Sequence, residues 1–355
     1  MIFSAAIVRP SRSSPEHPVV TRVPQVFNRQ NGITEGVWRD GDVIVKRLRR
    51  SAPEAVPAWA PSNDPRAWNY WRRELLAYRT ELPERLGLAG PVLVSDEEWA
   101  DGAEITYEAF GGRSADELDL GDLEQVATVL GLGQGRADLP DDEWLSRGFV
   151  RDYSLSRVTD HGVYDDDASW ARPLVAPFVD DELRAGLVAL HAHRGRLLSI
   201  MEALPRTVCH LDLFPNNVFV SNSGIGFIDW SFAGDGAVGE DIGNLVPDSV
   251  FDLQLDVADL PLLEERLPAA YIAGLRAAGW RGDDRLVILA IHASAVKYDW
   301  LGPRVLARAL EDQQTGYGGA EVVAERLFAA RFGGLALVAR WAREALVEAD
   351  RLRVF

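Results

Sequence analysis

The sequence predicts a bilobal α+β fold with a strand-rich N-terminal lobe and a mostly helical C-terminal lobe. The chain has 355 residues, more than one hydrophobic core usually spans, so two lobes are expected. Short β-type runs bounded by turn residues dominate up to about residue 110. Beyond that point apolar residues recur mostly at helical spacing, which indicates a change of architecture.

The composition is typical of a globular protein and excludes several classes of function. The formal net charge of −17 repels nucleic acid and anionic membranes, and it indicates either simple solubility or an acidic pocket for a cationic substrate. The single cysteine, Cys209, excludes a disulfide framework and a thiolate metal site. No apolar run reaches the length of a membrane span, and the N-terminus lacks the pattern of a signal peptide. We therefore expect a cytoplasmic protein.

The first lobe begins after a short arm and contains a hairpin. We expect residues 1–20 to form a loose N-terminal arm and residues 21–112 to form the lobe. The runs Val37-Trp38 and Val43-Ile44-Val45 flank Asp40-Gly41. An Asp-Gly pair between β-type runs is a hairpin signal.

The rest of this lobe is predicted as one helix followed by two strands. Apolar residues at helical spacing, Trp68, Trp71, Leu75 and Tyr78, predict a helix over 66–81. Two further strands are predicted at 91–94 and 105–109, and the segment 107–112, which ends in two glycines, is the expected hinge.

The second lobe, residues 113–355, is predicted to be helical apart from one hairpin. Helical periodicity predicts helices over about 120–130, 181–204, 261–278, 285–301 and 320–354. The exception is the pair of apolar runs 218–220 and 226–228, which flank a polar turn and predict a second hairpin.

This second hairpin carries the residues with the strongest chemical pattern. It follows His210-Leu211-Asp212-Leu213-Phe214-Pro215-Asn216-Asn217 and ends in Ile228-Asp229-Trp230. Phosphoryl transfer needs one carboxylate to position the attacking hydroxyl and accept its proton. It also needs oxygen ligands that hold Mg²⁺ against the phosphates, and a carboxylate and an amide oxygen are suitable. Asp212, Asn217 and Asp229 supply that set.

The motif resembles the aminoglycoside phosphotransferase family and its relatives among choline and metabolite kinases, whose signature is His-Gly-Asp-Leu-x-Pro-x-Asn followed by Ile-Asp-Trp or Ile-Asp-Phe. The resemblance implies a protein-kinase-like fold, with Asp212 as catalytic base and Asn217 and Asp229 as Mg²⁺ ligands. It also implies that His210 and a later aspartate, Asp241, hold the loop in place rather than take part in chemistry.

Two departures from kinase patterns limit the kind of kinase. Leu211 replaces the usual glycine of the family, and Phe214 stands where Ser/Thr protein kinases carry a lysine. The interval from Asp229 to Asp241 is too short for an activation loop and a peptide-binding segment. A small-molecule acceptor is therefore expected rather than a polypeptide.

Residues of the first lobe are expected to bind the nucleotide. Lys46, in a β-type run, resembles the kinase lysine that pairs with the α- and β-phosphates, and Glu74 in the predicted helix would pair with it. Thr34, in a turn flanked by glycines, is a candidate phosphate donor, and a plain β-turn is the alternative. Glu108 and Phe110 lie in the expected hinge, where the family binds adenine through the backbone.

The sequence thus predicts an ATP- and Mg²⁺-dependent O-phosphotransferase that acts on a small-molecule hydroxyl. An antibiotic is one candidate acceptor, in a resistance or self-protection role, and an amino alcohol or sugar of primary metabolism is another. A binding module that has kept the fold and lost the chemistry is the rival from another class. We expect neither nucleic acid nor membrane as partners, and a monomer or homodimer.

Overall fold

The computed structural model describes residues 22–25, 27–28, 31–136, 140–222, 224–311 and 313–354. The N-terminal arm predicted for residues 1–20 lies outside the described residues.

A five-stranded antiparallel sheet forms the first lobe, in which the first three strands of the sequence are followed across the sheet by the fifth and then the fourth. Its strands and the two helices of this region are β1 Val23–Pro24, β2 Thr34–Asp40, β3 Val43–Arg49, α1 Arg73–Arg79, α2 Leu82–Arg85, β4 Leu93–Trp99 and β5 Gly102–Glu108. The hairpin predicted at Asp40-Gly41 is confirmed, and Gly41 adopts a φ of 61°, which glycine reaches without steric cost. The central strand β3 pairs with β2 and β5 and carries Lys46 opposite Val37 and Ile105.

The helix predicted over 66–81 is wrong in its first half, because α1 begins only at Arg73. The buried guanidinium of Arg73 donates hydrogen bonds to the carbonyls of Pro65 at 2.9 Å and Trp68 at 2.8 Å. It also donates to the carbonyl of Trp144 at 2.9 Å in the other lobe. The first two carbonyls would accept backbone bonds in a continuous helix, so the arginine stabilises an irregular segment that links the lobes.

Helices make up most of the second lobe. They are α3 Leu120–Arg136, α4 Phe149–Ser156, α5 Asp167–Trp170, α6 Asp181–Ala192, α7 Arg194–Ala203, α8 Glu240–Phe251, α9 Leu260–Ala277, α10 Asp284–Ala293, α11 Leu301–Arg308 and α12 Ala324–Leu352. The predicted helix 181–204 is divided at His193, and the helix predicted over 285–301 continues from Ser294 to Tyr298 as a 3-10 turn. Among the described residues, no helix is both long enough and apolar enough to cross a membrane.

Two small sheets lie beside these helices. Their strands are β6 Ser146–Arg147, β7 Arg206–Cys209, β8 Val218–Ser221, β9 Gly224–Phe227 and β10 Gly234–Ala237. The predicted hairpin is confirmed as β8 and β9. The sheet β6-β10-β7 was not predicted, because β10 contains two glycines and lacks an apolar alternation. The predicted α+β fold, strand-rich first and helical afterwards, is confirmed.

Candidate functional site

A buried lysine and two carboxylates form the centre of the site. Lys46 Nζ lies 2.6 Å from Glu74 Oε2 and 3.0 Å from Asp229 Oδ1. Lys46 comes from the middle of β3, Glu74 from the first turn of α1, and Asp229 from the end of the β8–β9 hairpin. The side chains of Lys46 and Glu74 are 5% and 1% exposed, whereas that of Asp229 is 32% exposed. The predicted ion pair of Lys46 and Glu74 is confirmed, and Asp229 is the member that reaches solvent.

The charges of this cluster depend on one another. Burial opposes the charge of Lys46, but Asp229 and Glu74 outweigh it and raise the pKa of the ammonium. Burial also raises the pKa of Glu74, to about 7, although Lys46 acts against it. The pKa of Asp229 is lowered, because Lys46 and a hydrogen bond from Ser231 outweigh its burial. One cation thus stands between two acids, so a second cation at the exposed carboxylate of Asp229 would be favoured.

Tyr78 fixes the backbone at Asp229. The Asp229 N–H donates to Tyr78 Oη at 3.2 Å, and that hydroxyl lies 3.5 Å from Glu74 Oε1. Asp229 adopts φ 59° and ψ 60°, a left-handed conformation that is uncommon for residues other than glycine. The sequence placed Tyr78 on the apolar face of a helix, and its hydroxyl role was missed.

Asp241 holds the loop that carries Asp212. The backbone N–H groups of His210 and Leu211 donate to Asp241 Oδ2 and Oδ1 at 2.9 and 2.8 Å. Gln134 Nε2 of α3 also donates to Asp241 Oδ2, at 2.7 Å. His210 Nε2 lies 2.8 Å from the carbonyl oxygen of Ile228, which joins the loop to the hairpin. These contacts agree with the supporting roles that the resemblance implies for His210 and Asp241.

Leu211 stands where the signature His-Gly-Asp-Leu-x-Pro-x-Asn has glycine, and its backbone adopts a conformation that favours glycine. Its φ is 66°, a conformation that glycine adopts freely and that costs another residue about 1–2 kcal/mol. The side chain is fully buried in a cluster with Phe149, Tyr153 and Phe232. Apolar burial therefore offsets the backbone strain at this position.

Asp212 and Asn217 lie on the same short loop. Asp212 is half-buried, and burial raises the pKa of its carboxyl to about 7 while the charge of Lys297 acts in the opposite direction. Asn217 Nδ2 donates to the Asp212 carbonyl oxygen at 2.8 Å. That bond uses the amide nitrogen of Asn217 and leaves its amide oxygen as the group suited to a hard cation.

The other residues predicted to contact nucleotide lie around the sheet and the hairpin. Thr34 is buried at the start of β2 opposite Leu48. Glu108 is exposed at the end of β5. Phe110 stacks on Phe219 of β8 with ring centroids 5.8 Å apart. Within the described part of the chain, no hydrogen bond or ion pair joins the Thr34, Glu108 or Phe110 side chain to Lys46, so their roles stay predictions.

Lys297 is a site residue that the sequence reasoning missed. It is buried, its Nζ lies 3.6 Å from Asp248 Oδ2, and it stands over the ring of Tyr153 at 5.8 Å. Burial opposes its charge, but Asp248 and other groups, Asp212 among them, raise the pKa of its ammonium. The signal was in the composition: of 37 basic residues only Lys46 and Lys297 are lysines, and both are buried at this site.

A segment near the C-terminus also reaches the catalytic loop. The ring of Tyr317 packs edge-on against that of Phe214, with centroids 5.5 Å apart. Burial raises the pKa of the Tyr317 hydroxyl, and the charges of Asp229 and Asp212 add to this effect. Tyr317 lies more than 80 residues downstream of the motif, and no local pattern indicated it.

The comparisons with known proteins concern the family and the fold. Residues 123–285 match the model of a family described as phosphotransferase enzyme family. No curated protein matches the chain. Amicoumacin kinase hAmiN, in complex with AMP-PNP, Ca²⁺ and Ami, is 12% identical with a TM-score of 0.51, and the alignment covers 88% of this chain and 87% of that one.

Two other solved structures are similar at lower scores. The aminoglycoside phosphotransferase APH(3'')-Id from Streptomyces rimosus, in complex with ADP and streptomycin, is 17% identical with a TM-score of 0.44, covering 75% of this chain and 93% of that one. A choline/ethanolamine kinase family protein from Mesorhizobium loti is 16% identical with a TM-score of 0.49, covering 92% and 96%. The predicted kinase-like fold is thereby confirmed, and the resemblance to the phosphotransferase family is confirmed over residues 123–285.

Proposed function

We propose that the protein is an ATP-dependent O-phosphotransferase that moves the γ-phosphate to a hydroxyl of a small molecule. One observation carries the proposal. Lys46 from the first lobe makes an ion pair with Asp229 from the second, and the charges of both act on Asp212. A phosphate-binding cation, a metal-binding carboxylate and a proton acceptor are the parts that phosphoryl transfer requires.

On the nucleotide side, we assign charge neutralisation to Lys46 and the metal. Lys46 would meet the α- and β-phosphates, with Glu74 fixing its ammonium. Asp229 and Asn217 would hold Mg²⁺, because both offer hard oxygen donors and because the cluster carries more acid than base. Bound Mg²⁺ neutralises charge on the phosphates and orients them. We also propose that Thr34, Glu108 and Phe110 line the nucleotide pocket.

On the acceptor side, we propose that Asp212 orients the hydroxyl and accepts its proton. A base is most effective when its pKa lies near the working pH, and the pKa of Asp212 is raised to about 7, chiefly by burial. The loop is held through backbone bonds to Asp241, so Asp212 is positioned before substrate binds. Such positioning supplies much of the rate in reactions with a loose transition state.

The acceptor class follows from the residues beside Asp212. Asp248 and Asp252 are four positions apart on and after α8, which puts them on one face. They pair with Lys297 and Arg331 at 3.6 Å each, and the charges of Asp248 and Lys297 act on Asp212, so charges of both signs lie near the proposed base. We propose an amine-bearing alcohol, a class that includes aminoglycoside antibiotics and amino alcohols of metabolism.

The lobe boundaries, 21–112 and 113–355 with a hinge at 107–112, are part of the same proposal. So are the cytoplasmic location and the monomeric or homodimeric state. Limited proteolysis of the purified chain tests the boundaries, sedimentation analysis tests the oligomeric state, and cell fractionation tests the location.

The decisive experiment measures Mg²⁺-dependent ADP release with a panel of aminoglycosides, nucleoside antibiotics, sugars and amino alcohols. Mass spectrometry then identifies an acceptor that has gained one phosphate. Asp212→Asn should abolish transfer and keep ATP binding, because the residue faces the acceptor. Asp101→Asn, at an exposed turn, is the matched control and should retain full turnover.

Three outcomes separate the hypotheses. Phosphate transfer that is lost only in Asp212→Asn supports the proposed enzyme. Tight ATP binding without turnover on any acceptor would instead identify a binding module. Normal turnover by Asp212→Asn would refute the role of Asp212.

A further inference from the structure

A cluster of two histidines and one aspartate lies outside the site described above. His161 begins a 3-10 turn, His161–Asp165, and His191 lies in the last turn of α6. Asp299 follows the turn Ser294–Tyr298. One potential ligand atom from each of the three residues lies within 4.8 Å of the other two.

The distances within the cluster are close to those of a tetrahedral metal site. His161 Nε2 lies 3.3 Å from Asp299 Oδ1, and His191 Nδ1 lies 3.2 Å from the same oxygen. His161 Nε2 also lies 3.2 Å from the main-chain oxygen of Asp299, a contact that a bound ion would replace. Zinc binds imidazole nitrogen and carboxylate oxygen at about 2.0–2.2 Å, so neighbouring tetrahedral ligands stand about 3.3–3.5 Å apart. Two of the three edges are therefore within a few tenths of an ångström of that spacing.

The charges also favour a single divalent ion. The rings of His161 and His191 are stacked, with centroids 3.5 Å apart and an interplanar angle of 14°. An imidazole binds a metal in the plane of its ring, so zinc binding requires one of the two rings to turn about its Cβ–Cγ bond. Two protonated imidazoles would repel each other at this distance, although both point at one carboxylate that is 4% exposed. Arg194 Nη1 lies 3.5 Å from Asp299 Oδ2 and is the competing cation. Its side chain is 30% exposed, so solvent can receive it.

We propose that His161, His191 and Asp299 form a zinc-binding site, with a water molecule as the fourth ligand. Two imidazole nitrogens favour Zn²⁺ over Mg²⁺, which prefers oxygen ligands alone. The ion joins three segments that are far apart in the sequence. Asp299 is two residues from Lys297, so the site ties the helical lobe together next to the acceptor pocket.

The test measures Zn²⁺ binding to the untagged full chain after dialysis against chelator. Calorimetric titration with ZnCl₂ gives affinity and stoichiometry, and elemental analysis after gel filtration gives the retained metal. The variants are His161→Gln and His191→Gln, which keep a polar side chain of similar size. His193→Gln is the matched control, because His193 is exposed two residues after His191.

We expect one tightly bound zinc per chain in the wild type and in His193→Gln. Loss of either ligand should weaken binding by more than the roughly 100-fold that loss of an outer-shell partner costs. Arg194→Gln should bind zinc more tightly than the wild type, because a competing cation is removed.

A pure hydrogen-bonding role of Asp299 gives different results. In that case the wild type binds zinc no more tightly than His161→Gln and His191→Gln, and Arg194→Gln changes nothing. Either result overturns the proposal. Circular dichroism of each variant confirms that it is folded, and nucleotide binding is not needed for any of these measurements.

Discussion

Removal of the Lys46 ammonium, in Lys46→Met, should destabilise the protein strongly and in a pH-dependent way. The substitution leaves two carboxylates, Glu74 and Asp229, facing each other without the cation that lies 2.6 and 3.0 Å from them. Loss of one partner of a buried pair costs about 3–5 kcal/mol, because the remaining acid must either stay charged in a buried site or take up a proton at a pH where the unfolded chain has none. We expect a loss of this size in the free energy of unfolding at pH 8.

The pH dependence follows from the proton on Glu74. In the wild type the pKa of Glu74 is raised to about 7, chiefly by burial, so its proton leaves midway between pH 6 and 8. Without Lys46 the pKa rises further, and the folded variant keeps the proton over this range. The unfolded chain is ionised throughout, so stability falls with rising pH while only the folded state holds the proton.

The size of this effect can be worked out. Each pH unit over which only the folded state holds the proton costs about 1.4 kcal/mol. In Lys46→Met only the folded state holds the Glu74 proton over both pH units from pH 6 to pH 8. In the wild type this is true for about one pH unit, from pH 6 to the pKa of Glu74 near 7. The destabilisation by Lys46→Met should therefore be about 1.4 kcal/mol larger at pH 8 than at pH 6.

Urea unfolding followed by circular dichroism at the two pH values is the assay. The buffer contains chelator and no nucleotide, since a cation at Asp229 would replace part of the lost charge. Glu74→Gln is the matched control and should cost far less, because it leaves the Lys46–Asp229 pair intact. A Lys46→Met variant within about 1 kcal/mol of the wild type at pH 8, or one whose destabilisation does not change with pH, would show that Lys46 does not compensate the charge of Glu74 and Asp229.

Two further predictions concern the catalytic loop. The rate of phosphate transfer at low substrate should rise through an acid limb with an apparent pKa near 7, because Asp212 must be ionised to accept a proton. Lys297→Met should move this limb to higher pH, since the Lys297 charge lowers the pKa of Asp212; a limb that stays in place would contradict the assignment. Leu211→Gly relieves a strain of about 1–2 kcal/mol but loses a buried side chain worth about 2–5 kcal/mol, so it should destabilise. Leu213 is equally buried but does not have a positive φ, so Leu213→Gly relieves no strain and should destabilise the protein more than Leu211→Gly. If thermal unfolding shows the same loss of stability for both variants, Leu211 is not strained.

Local signals account for the parts of the fold that the sequence predicted correctly. The β2–β3 turn needed a positive φ, and Asp40-Gly41 supplied the residue that allows it. The motif from His210 to Trp230 spans one loop and one hairpin, so Asp212, Asn217 and Asp229 had little freedom to separate. Only the pairing of Lys46 with Glu74 required a prediction across elements, and the kinase resemblance provided it.

The missed features all depend on contacts between distant residues. The irregular segment before α1 is stabilised by the buried guanidinium of Arg73, which also donates to the carbonyl of Trp144, 71 residues away. Asp248 and Lys297 meet across 49 positions of helical sequence, and each looks like an ordinary helix charge in its own segment. Helical periodicity reports which face is buried, but it does not say which buried face meets a catalytic loop.

The two lysines show why a composition dominated by arginine can still mark a site. Arg73 is fully buried, and its guanidinium donates to the carbonyls of five different residues. A buried guanidinium group is planar and carries five N–H donors, so it needs many acceptors around it. Lys46 instead faces two carboxylates at 2.6 and 3.0 Å. The compact ammonium group of lysine fits between them, whereas a planar guanidinium group would leave some of its donors unpaired. In a chain with so few lysines, a lysine within an apolar run such as Ala295-Val296-Lys297 therefore indicates a buried point charge, and at both positions that charge acts on Asp212.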